Sequence, residues 1–260
     1  MSRPTTNKPK GTVTGGQLAA CREGVDDRHA SLRHLYRVAR NHRGGGDLFT
    51  KHVSDPLGSW IAAIAIRFGI QASIVTLADL LLALSATAVV IAQVDQAHPL
   101  WLPGLIAFIL WQLAYILDCA DGQVARATGK QSDFGARVDV LVDFLVHGAI
   151  ICSLITVIAQ WSDPPAAVLA ACAVLWPVNL LIGVLARTDG NMGHSFTQRG
   201  GIVAFIKLAR DTGFILFTTG AWLLIAPRSI ILPVVALTVF NAFFLVASIG
   251  REAYLSMRRT

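Results

Sequence analysis

The sequence predicts an all-α integral membrane protein with six transmembrane helices, preceded by an amphipathic juxtamembrane helix. Of the 260 residues, 54% are hydrophobic and only 15% are charged, whereas soluble globular chains carry about 25% charged residues. Six apolar stretches are each near the length needed to cross a bilayer. A soluble chain of this size has too little interior to bury so much apolar surface, but a membrane accommodates it.

The first element, residues 1–46, is polar and basic and lacks the apolar core of a secretory signal. We therefore expect it to remain part of the chain and to stay in the cytoplasm. Its apolar residues recur at helical spacing with arginines between them, which is typical of a helix on an anionic membrane leaflet. A solvated helix or a disordered tail is the alternative. The apolar positions are Leu32, Leu35, Tyr36 and Ala39.

The second element, residues 47–70, is predicted to be a juxtamembrane helix that lies in the membrane interface. Pro56 either begins this helix or kinks it, because proline lacks the backbone N–H that a position inside a helix requires. Large apolar residues recur along one stripe, which makes the helix amphipathic. The stripe consists of Phe49, Val53, Leu57, Trp60, Ile61, Ile64 and Phe68.

The third element, residues 71–260, is predicted to be a six-helix transmembrane domain. The connections between the spans carry proline and other turn residues. The fifth stretch is interrupted by Lys207, Arg210 and Asp211, so only residues 212–226 are uniformly apolar there. The six predicted spans cover residues 74–94, 99–118, 136–160, 164–187, 203–226 and 229–250.

The distribution of positive charge predicts the orientation of these spans. With a cytoplasmic N-terminus and six spans, every one of the 22 Lys and Arg residues except Arg228 lies on the cytoplasmic side, as the positive-inside rule requires. An odd number of spans would separate the basic C-terminal tail from the basic N-terminal segment. We therefore expect a protein of the cytoplasmic membrane with both termini in the cytoplasm. We interpret the net charge of +6 as favouring contact with an anionic membrane surface and not with a nucleic acid.

Four aspartates at the ends of two successive spans are the strongest functional signal, because charges inside membrane spans are costly and mark function. Asp118 and Asp121 lie three residues apart at the end of the second span. Asp139 and Asp143 lie four residues apart near the start of the third. Both spacings place the pair on one helix face. Because a short loop makes the two helices antiparallel neighbours, the four carboxylates are predicted to converge on one pocket at the cytoplasmic boundary.

Such a pocket predicts bound divalent cations, because unpaired carboxylates repel each other in a low-dielectric site. A donor set of oxygens without sulfur suits magnesium, manganese or calcium better than zinc, and magnesium favours sites that share a phosphate ligand. The residues between the acids fit a phosphorylated substrate: Gly122 permits close backbone approach, Ala125 leaves room, and Arg126 can bind phosphate oxygens with two N–H groups. A helical hairpin held by salt bridges is the alternative, but nearby Arg and Lys are too few to neutralise four acids.

The string D-x2-D-G-x2-A-R-x8-G-x3-D-x3-D resembles the signature of the CDP-alcohol phosphotransferase family, also called CDP-alcohol phosphatidyltransferases. The resemblance extends to six spans, a preceding juxtamembrane helix and a site that faces the cytoplasm, but not to residues 1–46. The matching positions are Asp118, Asp121, Gly122, Ala125, Arg126, Gly135, Asp139 and Asp143.

The resemblance implies a homodimeric enzyme of phospholipid biosynthesis with two Mg²⁺ or Mn²⁺ ions. It would transfer a phosphate-linked group from a CDP-alcohol, with CDP-diacylglycerol favoured, to a polar alcohol and release CMP. Asp118, Asp121 and Asp139 would be the principal metal ligands. Asp143 would contribute to the second metal and act as the general base on the acceptor hydroxyl. The residues implied at the CDP site are Asp118, Gly122, Ala125, Arg126 and Gly135.

Four ionisable residues outside the motif are interpreted as contacts to acceptor or lipid, each against a purely structural alternative. His147 lies one turn beyond Asp143 and can meet the acceptor or hydrogen-bond the base. Asp79 can line the nucleotide cavity or pair with Arg126. The remaining two are basic residues near the fifth span, Lys207 and Arg210.

Two positions depart from the family pattern. The segment before the first span reads Gln71-Ala72-Ser73, where many relatives carry threonine-proline-asparagine, although Ser73 can still cap the helix. Phe144 follows the last motif aspartate, where many relatives carry Arg or Lys. The second departure argues against the subgroups whose acceptors are inositol phosphate or glycerol phosphate.

Two other functions remain open. The donor can be a water-soluble CDP-alcohol instead of a lipid. A protein of a different class, a metal-ion transporter or a catalytically silent scaffold, also places carboxylates in a membrane. Against that class, the four acids gather at one membrane face and are not spread along a path.

Overall fold

The computed structural model describes residues 30–44, 47–94, 101–188 and 201–257, and all regular structure in these ranges is helical. A short π-helical segment, Thr50–Ser54, precedes α2, and a 3₁₀ turn, Pro227–Ser229, precedes α9. The α-helices in the described ranges are α1 (Leu32–Asn41), α2 (Asp55–Phe68), α3 (Ala72–Ala92), α4 (Trp101–Ala127), α5 (Asp133–Trp161), α6 (Ala166–Thr188), α7 (Gly201–Arg210), α8 (Thr212–Ile225) and α9 (Ile231–Met257).

Helices α3, α4 and α5 position the motif. The close backbone contacts of α4 are with α3, α8 and α2, and those of α5 are with α3 and α6. The sequence predicts α4 and α5 as antiparallel neighbours; in the structure both make close backbone contacts with α3. The space between the two acid-bearing helices is therefore left for their side chains and for a cavity.

Specific hydrogen bonds mark the end of α4 and the start of α5. Gly129 adopts a left-handed conformation with φ of 65°, which glycine reaches without steric cost, and the Lys130 N–H donates to the Ala125 carbonyl at 3.0 Å. Ser132 caps α5, because its hydroxyl oxygen accepts a hydrogen bond from the Gly135 N–H at 3.0 Å. These bonds fix where the first residues of α5 stand relative to the last turn of α4.

In the part of the chain that the structure describes, buried apolar side chains form two separate clusters. The larger cluster lies inside the bundle and includes Trp111 of α4, Ile150 of α5 and Leu216 of α8. The smaller cluster joins α1 and α2 to the end of α4 that carries the motif. It consists of Leu35, Ala39, Ala62, Ala63, Ala65, Ile66, Val75, Ala120, Val124 and Ala127.

Among the described residues, four helical segments are long and apolar enough to cross a membrane: Ala72–Ala92, Trp101–Ala127, Asp133–Trp161 and Pro227–Gly250. They coincide with four of the six predicted spans. An apolar part of α6, Ala166–Val178, and the shorter apolar helix Thr212–Ile225 fall in the fourth and fifth. The fifth stretch is divided at Asp211, whose carboxylate caps α8 by accepting from the Phe214 N–H. A count of six spans therefore stays a prediction.

Helix α2 has the amphipathic character expected of residues 47–70. One face packs small residues into the interior, among them Ala62 and Ala63. The other face exposes large apolar side chains at successive turns, namely Leu57, Trp60, Ile64 and Phe68. An exposed apolar stripe of this kind suits a membrane interface, and the location of α2 there remains a prediction.

Candidate metal centre and adjoining cavity

Three of the four motif aspartates meet between α4 and α5. One carboxylate oxygen from each of Asp118, Asp121 and Asp139 lies within 4.8 Å of the other two. Oxygens on opposite sides of one cation are about 4.2 Å apart for magnesium and about 5 Å apart for calcium. The donor set and its spacing therefore fit a hard divalent cation, and the predicted convergence of these three residues is what the structure contains.

Two more carboxylates lie within electrostatic reach of these three. Asp143, one turn further along α5, is the strongest charged neighbour of Asp118. Asp79 is buried on α3, and its charged neighbours are Asp121, Asp143 and Asp139. Bound cations favour the ionised form of a partly buried group of acids that face one another. The electrostatics of the site therefore favour a cation-binding role.

Thr76 on the first turns of α3 orients one of the metal-site acids. Its hydroxyl donates to Asp121 Oδ2 at 2.5 Å. Sequence reasoning missed Thr76, although it lies three residues before Asp79 and therefore on the same helix face. The predicted cap at Ser73 is wrong: Gln71 occupies the N-cap position with extended backbone and no side-chain cap, and Ser73 lies inside α3.

A cavity of about 720 Å³ adjoins the acids, between the start of α3, the end of α4 and the start of α5. This volume lies within the range of about 300–1,000 Å³ typical of small-molecule sites. Asp118 and Asp143 are one turn deeper than Asp121 and Asp139 and do not line the cavity. Its lining includes six of the eight motif residues: Asp121, Gly122, Ala125, Arg126, Gly135 and Asp139.

Gly122 makes room for the side chain of Arg126. A Cβ atom at Gly122 would lie 2.9 Å from both terminal guanidinium nitrogens of Arg126, closer than real Cβ contacts come. The guanidinium Nε–H donates to the main-chain carbonyl of His42 at 2.6 Å. The sequence predicts that Gly122 permits close approach of a ligand to the backbone. In the structure, the absence of a side chain at Gly122 leaves room for the guanidinium of Arg126, which lines the cavity.

Gly135 serves the start of α5. A Cβ atom there would lie 3.1 Å from the Ser132 hydroxyl oxygen, the same atom that accepts the Gly135 N–H bond. Glycine at this position therefore avoids a close contact with the capping hydroxyl and places no side chain in the cavity. Ala125, the remaining small motif residue, lines the same cavity from α4.

Of the candidate residues outside the motif, His147 lies beside the backbone of Asp143, whereas Lys207 and Arg210 lie near Asp47. His147 Nδ1 donates to the main-chain carbonyl of Asp143 at 2.8 Å, so this bond goes to the backbone of the expected base and not to its carboxylate. The guanidinium of Arg210 lies 3.9 Å from the centroid of the Phe244 ring. Burial and the charge of Asp211 raise the pKa of Asp47, while Arg210 and Lys207 oppose that rise. Lys207 and Arg210 thus face Asp47 and are not among the residues that line the cavity.

The helices and the acidic centre together define an all-α membrane protein with a site suited to divalent cations. The CDP-alcohol phosphatidyltransferase family matches residues 70–241, more than half of the chain, and the chain belongs to that family. A phosphatidylinositol phosphate synthase from Corynebacterium glutamicum is 30% identical over 116 residues, which is 44% of this chain. The alignment spans about half, 49%, of that relative's length. The family match begins after α1 and α2.

Proposed function

We propose that the protein is a metal-dependent transferase that moves the phosphatidyl group of CDP-diacylglycerol to the hydroxyl of a polar acceptor and releases CMP. The observation that carries this proposal is the meeting of Asp118, Asp121 and Asp139 beside a cavity lined by the other motif residues. Family membership and the synthase relative support phospholipid head-group transfer.

Asp118, Asp121 and Asp139 would hold one Mg²⁺ or Mn²⁺ ion, and Asp143 would contribute to a second. Bound cations would neutralise the donor pyrophosphate and stabilise the departing CMP. Thr76 keeps Asp121 directed into the centre through its hydroxyl. Asp79 adds a further carboxylate from α3, and bound cations would favour its ionised form.

Arg126 would bind a donor phosphate with its terminal guanidinium nitrogens, because Nε is already used by the His42 carbonyl. Gly122, Ala125 and Gly135 would form the wall against which the cytidine part lies. Asp118 does not line the cavity. It would influence the nucleotide site from one helical turn deeper in α4. The cavity volume of about 720 Å³ leaves room for a nucleoside diphosphate group.

The surroundings of the cavity favour a lipid donor over a water-soluble CDP-alcohol. Ile70 and Phe134 line the cavity, and Phe134 is 78% exposed. Helix α3 continues from the cavity with an exposed apolar stripe, Ile74, Leu77 and Leu81. Acyl chains attached to a bound CDP group can therefore leave along apolar surface into the bilayer, whereas a soluble polyol would face that surface without gain.

Asp143 would act as the general base. It would take the proton of the acceptor hydroxyl while the hydroxyl oxygen attacks the phosphorus that carries the diacylglycerol. The bond from that phosphorus to the bridging oxygen breaks, and CMP leaves with the electron pair. His147, Lys207 and Arg210 would contact the acceptor or lipid phosphates. The relative's name favours inositol phosphate as acceptor, whereas Phe144 after the last motif aspartate argues against it, so the acceptor is decided by a panel.

The architecture proposed for this activity has three parts: the basic segment 1–46, the interfacial helix 47–70 and a six-helix catalytic domain 71–260. The four long apolar segments, the apolar residues of α6 and α8 and the exposed stripe on α2 support it. The charge distribution supports a location in the cytoplasmic membrane, with both termini and the site on the cytoplasmic side. A homodimer is proposed from the family resemblance.

The test is CMP release by the purified full-length protein in lipid nanodiscs with Mg²⁺ or Mn²⁺. CDP-diacylglycerol and a CDP-polyol serve as alternative donors, and serine, glycerol 3-phosphate, inositol and inositol phosphate serve as acceptors. We expect release with CDP-diacylglycerol, loss of release in Asp143→Asn, and normal release in Asp163→Asn, whose side chain is exposed in the α5–α6 connection. Release with the CDP-polyol alone would replace the lipid donor. Absence of release with every pair would favour the transporter or scaffold.

A further inference from the structure

Arg126 is held by a part of the chain that precedes the family match. Its Nε–H donates to the carbonyl of His42 at 2.6 Å, and a Cβ atom at Gly44 would lie 3.7 Å from its Nη2. His42 is the C-cap residue of α1. The last carbonyls of a helix have no partner within it and carry partial negative charge, so the end of α1 is a natural acceptor for a guanidinium.

Helix α1 is anchored firmly enough to fix that carbonyl. Leu35 and Ala39 are fully buried against α2 and α4. Tyr36 stacks on Trp60 of α2 with ring centroids 4.5 Å apart. The His42 N–H bonds to the Ala39 carbonyl at 3.0 Å, which sets the direction of the backbone at the cap.

The charges around Arg126 explain why such a hold is useful. Asp121 and Asp139 line the same cavity, and a loose guanidinium would be drawn onto their carboxylates. Arg126, like Arg40 and Arg43, instead interacts electrostatically with Asp55, which is 3% exposed. Burial raises the pKa of Asp55, and the three arginines oppose that rise. The N-terminal segment thus supplies a hydrogen-bond acceptor for Arg126 and two arginines that act on the same carboxylate as Arg126.

We propose that residues 31–44, termed the N-terminal brace, position Arg126 for the donor nucleotide. The brace holds Nε through the His42 carbonyl, so the terminal nitrogens border the cavity and stay away from the metal-site acids. Leu35 and Tyr36 are positioning residues that act through α1. The inference rests on the proposed function, and it assigns residues outside the family match to the affinity of the site for the CDP group.

The test measures binding of CMP with Mg²⁺ to the full-length protein in detergent micelles by titration calorimetry. Leu35→Ala loosens the buried contact of α1, and Leu32→Ala is its matched control, since Leu32 lies on the same helix and is 37% exposed. We expect Leu35→Ala to weaken CMP binding about tenfold, the effect of losing one charge-assisted hydrogen bond. Leu32→Ala should bind as the wild type does. In turnover, the KM for the CDP-alcohol should rise with kcat within about twofold.

A double-mutant cycle separates positioning from general loosening. Arg126→Lys keeps the positive charge but lacks the Nε donor that binds His42, so adding Leu35→Ala to it should cost no further CMP affinity. An equal tenfold loss in both backgrounds, or no loss in either, would overturn the inference. If Leu35→Ala does not fold, Tyr36→Ala takes its place, with Tyr36→Phe expected to restore binding because it keeps the ring stack. Wild-type protein that binds no CMP would defeat the proposed function itself, and this inference with it.

Discussion

Two buried acidic regions lie close to α4 and differ in what surrounds them. Asp211 at the start of α8 accepts hydrogen bonds from the Thr50 N–H at 2.9 Å, the Thr50 hydroxyl at 2.6 Å and the Phe214 N–H at 3.4 Å. Asp118, by contrast, has other carboxylates as its charged neighbours. Burial alone therefore does not distinguish a functional aspartate from a structural one. The neighbours do, because hydrogen-bond donors surround the carboxylate of the first region, whereas the facing carboxylates of the second are suited to a divalent cation.

The Asp211 region ties three elements together. The Thr50 hydroxyl also bonds to the Tyr115 hydroxyl at 2.8 Å, and Tyr115 precedes Asp118 by one turn of α4. A Cβ atom at Gly213 would lie 2.7 Å from the Tyr115 ring, so glycine allows the close approach of α8. This region joins the segment before α2 to α4 and α8, and we expect its loss to affect stability first.

Metal removal should separate the two regions most strongly. Chelation with EDTA is expected to abolish CMP release, and added Mg²⁺ or Mn²⁺ should restore it. Added Mg²⁺ should also raise the thermal midpoint of the wild type, because an ion bound only by the folded state stabilises it, by about 2.7 kcal/mol at roughly 100 times its Kd. Full activity in EDTA would remove the acidic centre from the mechanism.

Asp118→Asn should lower kcat/KM about a thousandfold, equal to about 4 kcal/mol of transition-state stabilisation, because a metal ligand is lost. Without metal, its thermal midpoint should equal or exceed that of the wild type, since one repelling charge is gone. Added Mg²⁺ should raise that midpoint less than it does in the wild type. Asp163→Asn is the matched control for both measurements, and a marked loss of midpoint in Asp118→Asn alone would indicate a structural role.

Asp211→Ala should show the opposite pattern. Loss of the helix cap and of the two bonds to Thr50 is expected to lower the unfolding free energy by about 2–3 kcal/mol. At a temperature where the variant remains folded, its turnover should stay within severalfold of the wild type. Thermal unfolding in detergent and CMP release check the two parts. A thousandfold loss of turnover with an unchanged midpoint would place Asp211 in the catalytic machinery instead.

Gly122→Ala should have the smallest effect of these changes, about a tenfold rise in the KM for the donor. The added Cβ must displace the Arg126 guanidinium, while the metal-site acids stay in place. Gly148→Ala is the matched control, since a Cβ there meets nothing within 4 Å, and it should leave KM unchanged. Equal KM values for the two variants would contradict the assigned packing of Arg126 on Gly122.

Helical spacing was sufficient to predict the meeting of Asp118, Asp121 and Asp139, because three- and four-residue intervals fix a helix face whatever the partner. Membrane character followed from composition in the same way. The arrangement of the helices did not follow: the short turn predicts α4 and α5 as antiparallel neighbours, but it does not predict that both make close backbone contacts with α3. Connectivity limits which helices can be close, whereas side-chain packing decides which of them are.

Contacts between distant segments were also beyond the sequence. Nothing in the pattern of residues 31–44 indicates that the carbonyl of His42 meets Arg126, because a main-chain acceptor has no residue signature. The hydroxyl of Thr76 was overlooked beside the more conspicuous Asp79. Asp211 was recognised only as an interruption of the fifth apolar stretch, and its hydrogen bonds to Thr50 cross 161 positions of the chain.

The position of α3 has a consequence for how the centre can be retuned. Ala83 and Ala86 on α3 are fully buried in the bundle interior, and their small side chains let α3 approach α4 and α5 together. A bulkier residue at either position would wedge α3 away from one of its two partners and change the gap that the carboxylates span. Under the proposed function, a substitution at Ala83 or Ala86 should therefore change which cation the centre prefers, although neither residue is a metal ligand of the motif.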